Sequence, residues 1–200
     1  MLYEKTAIIL IGYQNDYFSD EGILHDVIEE SSRVTGVLSN TVKLIEHLKS
    51  TPTLIISTPI IFTSDYSELV DPVGILKVIK DKQVFKADTV GAETIPEIRQ
   101  FDKRITEISG KRGLNAFSNT ILDEYLKKNK ITNVIFAGTV VSICIDSTAR
   151  AAFEKGYKVS ILSDCTSGRT VFEQKFYCEN IFPIYAKVIT HQELINALNG

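Results

Sequence analysis

Cys144 is the residue whose type and placement most directly suggest chemistry. It lies in Asn133 to Gly156, NVIFAGTVVSICIDSTARAAFEKG, an apolar run that breaks at Gly138 and resumes as a helical pattern with Cys144 in its first turn. A helix N-terminus carries about half a positive charge and free backbone N–H groups. Both favour a thiolate and can bind an oxyanion. With Ser142 as the N-cap, Cys144 falls near the second helical position, one residue off a buried stripe of Ile145, Ala149, Ala152 and Phe153. A strand, a glycine, a loop and a helix in that order recur where proteins present a nucleophile. The competing reading is a small buried hydrophobe, which describes most cysteines.

A thiol needs a base or a cation to react at neutral pH. Lys111 stands just past a strand-like piece, Arg104 to Ile108, and would reach the same edge of a sheet as Cys144. Its competing reading is a solvated surface lysine. Cys165 follows the strand expected beside the one leading to Cys144, so it could resolve an oxidised Cys144, or simply be buried. The histidines His25, His47 and His191 are scattered; structural or surface roles are expected for all three, with no metal and no cofactor.

The elements that must position these groups alternate. Thr6 to Ile11 (TAIILI) and Thr53 to Ser57 (TLIIS) are short aliphatic runs that suit strands buried on both faces. Asn133 to Ala137, Tyr157 to Ser163 and Tyr185 to Ile189 read as further strands. Val34, Val37, Leu38, Thr41, Ile45 and Leu48 recur at helical spacing and predict one helix over Arg33 to Ser50. Shorter helices are expected around Val73 to Ile79, over Asn119 to Lys128 with Ile121 inward, over Val171 to Glu179 and over His191 to Leu198; Val84-Phe85 reads as a short strand. Gly156 ends the Cys144 helix. Such alternation predicts a three-layer α/β/α fold with a mainly parallel sheet, and the whole of residues 1–200 reads as one domain.

Composition narrows the function classes. The chain has 200 residues, 44% hydrophobic and 24% charged, with a formal net charge of −3, which gives no electrostatic reason to expect a nucleic-acid partner. The early apolar run Ala7 to Ile11 is too short for a membrane span or a signal-peptide core. Three cysteines argue against a disulfide framework. A cytoplasmic protein that meets a small-molecule substrate, with no membrane partner, is the expectation. The apolar segment Ile181 to Ile184 suits either an interface between copies or cover by the last helix.

Several segments in order resemble the isochorismatase-like cysteine hydrolases, a superfamily of nicotinamidases, N-carbamoyl amidases and isochorismatases. Ala7 to Tyr17 resembles the family's opening strand, which usually ends in Asp-x-Gln-x-Asp-Phe; Gln14 and Asp16 match, and Gly12 stands where the Asp is usual. Gly91-Ala92-Glu93 with Pro96-Glu97 resembles the segment before the catalytic lysine. Lys111 to Phe117, with its Asn-Ala-Phe triplet, resembles the lysine motif, and Gly138 through Cys144 to Ala149, Ala152, Gly156-Tyr157 and Asp164 the cysteine motif. The resemblance implies a six-stranded sheet with helices on both faces. It implies Cys144 as nucleophile, Lys111 as its cation, an oxyanion hole from the Val140 and Cys144 amides, and a cis peptide at Thr139–Val140. The pocket would be lined by Tyr13, Phe18, Val140 and Ile143, the substrate would be a small amide or carbamoyl compound, and a homo-oligomer would be usual. The implied triad lacks its Asp, with Asp16, Asp88, Glu93 and Asp164 as the other carboxylates at hand. The Ser57 to Phe62 stretch lacks the histidines by which nicotinamidases hold a metal. A catalytically lapsed, ligand-binding member of the family is the alternative.

Overall fold

A computed structural model describes residues 1–200. In chain order the elements are β1 (Thr6–Ile11), α1 (Asn15–Phe18), α2 (His25–Thr35), α3 (Val37–Leu48) and β2 (Leu54–Ser57). Then come α4 (Gly74–Lys82), α5 (Pro96–Arg99), β3 (Thr106–Glu107), α6 (Leu122–Lys128) and β4 (Asn133–Thr139). The chain ends with α7 (Asp146–Glu154), β5 (Lys158–Ser167), α8 (Val171–Phe176), β6 (Lys187–Ile189) and α9 (His191–Asn199). The six strands form one sheet in the order β3-β2-β1-β4-β5-β6, and every pairing is parallel. No helix is long and apolar enough to cross a membrane.

Alternation along the central strands divides the interior. Ala7, Ile9 and Ile11 of β1, with Val134 and Phe136 of β4, face a core built with α6 and α7. Ile8 and Leu10, with Ile135 and Ala137, face a second core built with α3 and α9. Both faces are covered, which is why these strands read as unbroken aliphatic runs. Each fully buried Leu or Ile contributes about 1.5–3 kcal/mol, so the two-sided central strands dominate stability. A third cluster caps the carboxyl ends of the strands, uniting Tyr17, Ile60, Phe62, Tyr66, Phe85 and Val140.

Several expectations are corrected here. The helix predicted over Arg33 to Ser50 is two helices, broken at Gly36 with φ 68°; Val34 belongs to α2 and is exposed, while Val37, Thr41, Leu44, Ile45 and Leu48 form the buried stripe of α3. Ile121 precedes α6 and is exposed, because the helix starts one residue later and turns it to solvent. Phe153 is also exposed, with its ring against Tyr185. Val84-Phe85 pairs with no strand. Phe85 has φ 53° and its N–H is taken by a side chain, so the pairing here shrinks to a single parallel bridge between Phe62 and Lys86.

Candidate active site

β4 carries the nucleophile candidate to the carboxyl edge of the sheet. Gly138 lies against the Ile11 carbonyl of β1 so closely that no side chain fits. One residue further on, the Thr139–Val140 peptide bond is cis. The chain then turns through a π-helical segment, Val141–Ile145, before α7 begins. The cap expected of Ser142 is therefore displaced. Val140 occupies the N-cap, and its carbonyl accepts both Ile143 N–H and Ile145 N–H. Ser142 sits inside the turn. Cys144 lies in the wide turn with only 6% of its surface exposed, at the border between the α6–α7 core and the capping cluster.

Lys111 is not a surface residue. It is 1% exposed, and its Nζ donates to the Cys144 Sγ at 3.5 Å. The chain delivers it from β3 by continuing the sheet edge: Ile108 N–H donates to Ser57 O, and Lys111 pairs with Ile60 through a parallel bridge. The residues after Lys111 then dock onto the helix of the thiol. Thr148 Oγ1 accepts from Ala116 N–H at 3.1 Å and donates to Cys144 O at 2.7 Å. One hydroxyl thus ties the lysine segment to the cysteine turn.

The β1 corner lies next to the same turn. Gly12 has φ 76°, and a Cβ placed on it would stand 2.7 Å from the Thr139 carbonyl oxygen. The three residues after Tyr13 bind loops. Gln14 is buried and donates to Ile60 O and Ala92 O while accepting Ile60 N–H. Asn15 Nδ2 donates to Val90 O, and Asp16 Oδ2 accepts Phe85 N–H at 2.6 Å. No carboxylate hydrogen-bonds to the Cys144 sulfur. Asp16 serves Phe85; Glu93 pairs with Arg99; Asp164 pairs with His191; Asp88 is an exposed turn residue.

One expected neighbour moves. Tyr13 does not line the thiol's surroundings. Its hydroxyl bonds Thr41 in the α3–α9 core; alternation continued from Ile9 and Ile11 would have put it on the other face, and the left-handed Gly12 (φ 76°) breaks that alternation. Tyr17 takes its place. The short α1 turns Tyr17 into the capping cluster beside Val140 and Phe85, with Phe18 and Ile143 packed at the margin. Burial, then the nearby Cys144 sulfur and Asp16 carboxylate, push the Tyr17 phenol well above its ordinary range. It remains a hydrogen-bond donor at any working pH. An aromatic four residues beyond Tyr13 in a Gln-Asn-Asp-Tyr-Phe turn was the signal available in the sequence. A cavity of about 220 Å³ is lined in part by Tyr17, Phe18, His25, Ser32 and Arg33.

The other cysteines sit elsewhere. Cys165 is fully buried in the α3–α9 core, across the sheet from the core that holds Cys144, so the sheet stands between the two thiols. Burial raises the Cys178 thiol to about 12. Cys165 is pushed up further, by burial first and then by Asp164.

A parallel α/β sheet with a buried Lys–Cys pair at its carboxyl edge defines a class of proteins rather than one. The family profile described as isochorismatase domain matches residues 6–193. An uncharacterized isochorismatase family protein, YddQ, of Bacillus subtilis is 26% identical, over 98% of this chain and 92% of its own. Nicotinamidase 3 of Arabidopsis thaliana is 29% identical over 81% of this chain and 73% of its own. A cysteine hydrolase structure from Pseudomonas syringae pv. phaseolicola superimposes with a TM-score of 0.86 at 20% identity, covering 98% of this chain and 93% of that one. The chain belongs to the isochorismatase family.

Proposed function

We propose that this protein is a cysteine hydrolase that cleaves a C–N bond of a small amide or carbamoyl compound through a thioester on Cys144. The observation that carries this is the buried contact between Lys111 Nζ and Cys144 Sγ. A cationic side chain buried against a cysteine sulfur is the arrangement that activates a thiol as a nucleophile. Nicotinamidase 3 bears an amide-cleaving name, as do the ureidoacrylate amidohydrolases RutB that this chain also resembles.

In this reading the thiolate sulfur attacks the carbonyl carbon, and its oxygen becomes an oxyanion received by the Val140 and Cys144 amides. The C–N bond then breaks. The leaving nitrogen takes a proton from the Lys111 ammonium, and the carbon stays on sulfur as a thioester. Water adds to the thioester, the acid leaves, and the proton lost by water restores the Lys111 ammonium. Gly12 stands at the position of the family's Asp, so a dedicated proton carrier is lacking; such a loss costs about 10²–10⁴-fold in rate.

A second reading follows from that corner. With no carboxylate at the sulfur and the Gly12 backbone closed on Thr139, a member that retains the pocket and binds without turnover is the alternative. Iodoacetamide labelling at neutral pH with peptide mapping, beside a panel of amides and ureido acids, separates the two. Selective Cys144 labelling with hydrolysis abolished in Cys144→Ser supports the hydrolase. Selective labelling with no hydrolysis of any panel member supports the binding protein. An unlabelled Cys144 overturns the hydrolase reading.

A further inference from the structure

We propose that Asp164, Cys165 and His191 form a site for a borderline-soft divalent metal ion of the zinc type, separate from the Lys111–Cys144 pair. The three side chains each bring one ligand atom, and these atoms all lie within 4.8 Å of one another.

The convergence has a cause in the sheet. Along β4 one residue separates Phe136 from Gly138, while along β5 four separate their partners Ile161 and Thr166. Three extra residues of β5 therefore bulge out opposite Ala137. In a regular strand Asp164 and Cys165 would point to opposite faces; the bulge brings both toward the start of α9. His191 arrives there as the first residue of α9, two residues after Ile189 pairs with Leu162. Its N–H donates to Asp164 Oδ1 at 2.9 Å, and its Nδ1 lies 2.6 Å from Asp164 Oδ2.

The donor set selects the ion. Thiolate, imidazole and carboxylate together suit zinc and its analogues, whereas magnesium and calcium take oxygen ligands. Tetrahedral bonds of about 2.0–2.3 Å place donors roughly 3.3–3.8 Å apart. The Asp164–His191 contact would open by less than an ångström, and the widest separation would close by about as much. Binding displaces the thiol proton to solvent. Asp164 and His191 are partly exposed while Cys165 is fully buried, so the ion has an entry side, and the fourth position is left for water. The bulge leads into Thr166 and Ser167, which pair with Gly138 and Thr139, and the Cys165 carbonyl accepts from Tyr13 Oη. A metal there would stiffen the strand beside the Cys144 turn.

The test is cobalt(II) titration of the chelator-treated full chain, followed by thiolate-to-cobalt absorption in the near ultraviolet, with zinc added as competitor. The expected result is one equivalent bound, unchanged in Cys144→Ser and Cys178→Ser. Cys165→Ser loses the band, and His191→Gln, at a partly exposed helix start that tolerates substitution, weakens cobalt binding at least tenfold. No band in the parent chain overturns the proposal, and so does a band that survives Cys165→Ser or vanishes in Cys144→Ser. An Asp164–His191 pair that only fastens β5 to α9 would give the first of these.

Discussion

Two corners flank the Cys144 sulfur and are built in opposite ways. At the β3 corner a side chain reaches in: Lys111 is buried whole, and the backbone around it is held by the bridge to Ile60 and by Ala116 on Thr148. At the β1 corner no side chain reaches in. Gly12 lets β1 close on the Thr139 carbonyl in a left-handed conformation. The next carboxylate, Asp16, accepts Phe85 N–H. One corner retains an ionic function and surrounds it with fixed backbone. The other is closed by packing of Gly12 against Thr139.

Breaking the retained corner should have the largest effect. Lys111→Met, which keeps the bulk and removes the charge, is expected to slow Cys144 alkylation at neutral pH by 10²-fold or more. Time-resolved mass spectrometry reads that rate, and an unchanged rate would remove Lys111 from the site. The closed corner gives the next largest effect. Gly12→Asp and Gly12→Ala should each lose about 1–3 kcal/mol in denaturant unfolding, because the cost lies in φ and in the Thr139 contact rather than in charge. An Asp variant as stable as the parent would show that this corner can still accept its carboxylate. Asp16→Asn weakens a buried charge-assisted hydrogen bond, and about 1–2 kcal/mol of stability should go with it while the alkylation rate holds. A fall in that rate would make Asp16 the proton carrier of the site. Tyr17→Phe removes a phenol that stays protonated, and a change of several-fold in the alkylation rate is expected, with the same pH midpoint. A shifted midpoint would mean that Tyr17 titrates with the thiol.

The central strands were legible because burial on both faces leaves an unmistakable aliphatic run, as in Ala7–Ile11 and Val134–Ala137. Helix ends were not. The apolar spacing runs across Gly36 without a fault, so only the backbone reveals that Val34 and Val37 lie on different helices. The π-turn at Val141–Ile145 leaves no mark in a pattern read at 3.6 residues per turn, and that is why Ser142 looked like a cap. Cys144 and Lys111 were legible through the chain-long resemblance, not through periodicity. Tyr17 was obscured by Tyr13, since a one-turn helix decides which of the two faces the thiol. The Asp164–His191 pair spans 27 positions and depends on a bulge that the apolar run Val159–Leu162 does not announce.

The side chains of Gln14, Asn15 and Asp16 have a consequence for how the molecule opens. The loops around Ile60 and from Phe85 to Glu93 add no strand to the sheet; they are held to β1 through these three consecutive residues. Their protection against hydrogen exchange is therefore shared. The amides of Ile60 and Phe85, together with Asn15 N–H on Glu93 O, should exchange with one common opening free energy, below that of β1 and β4. The wall of the site would then come away as a single cooperative unit while the sheet beneath it stays folded.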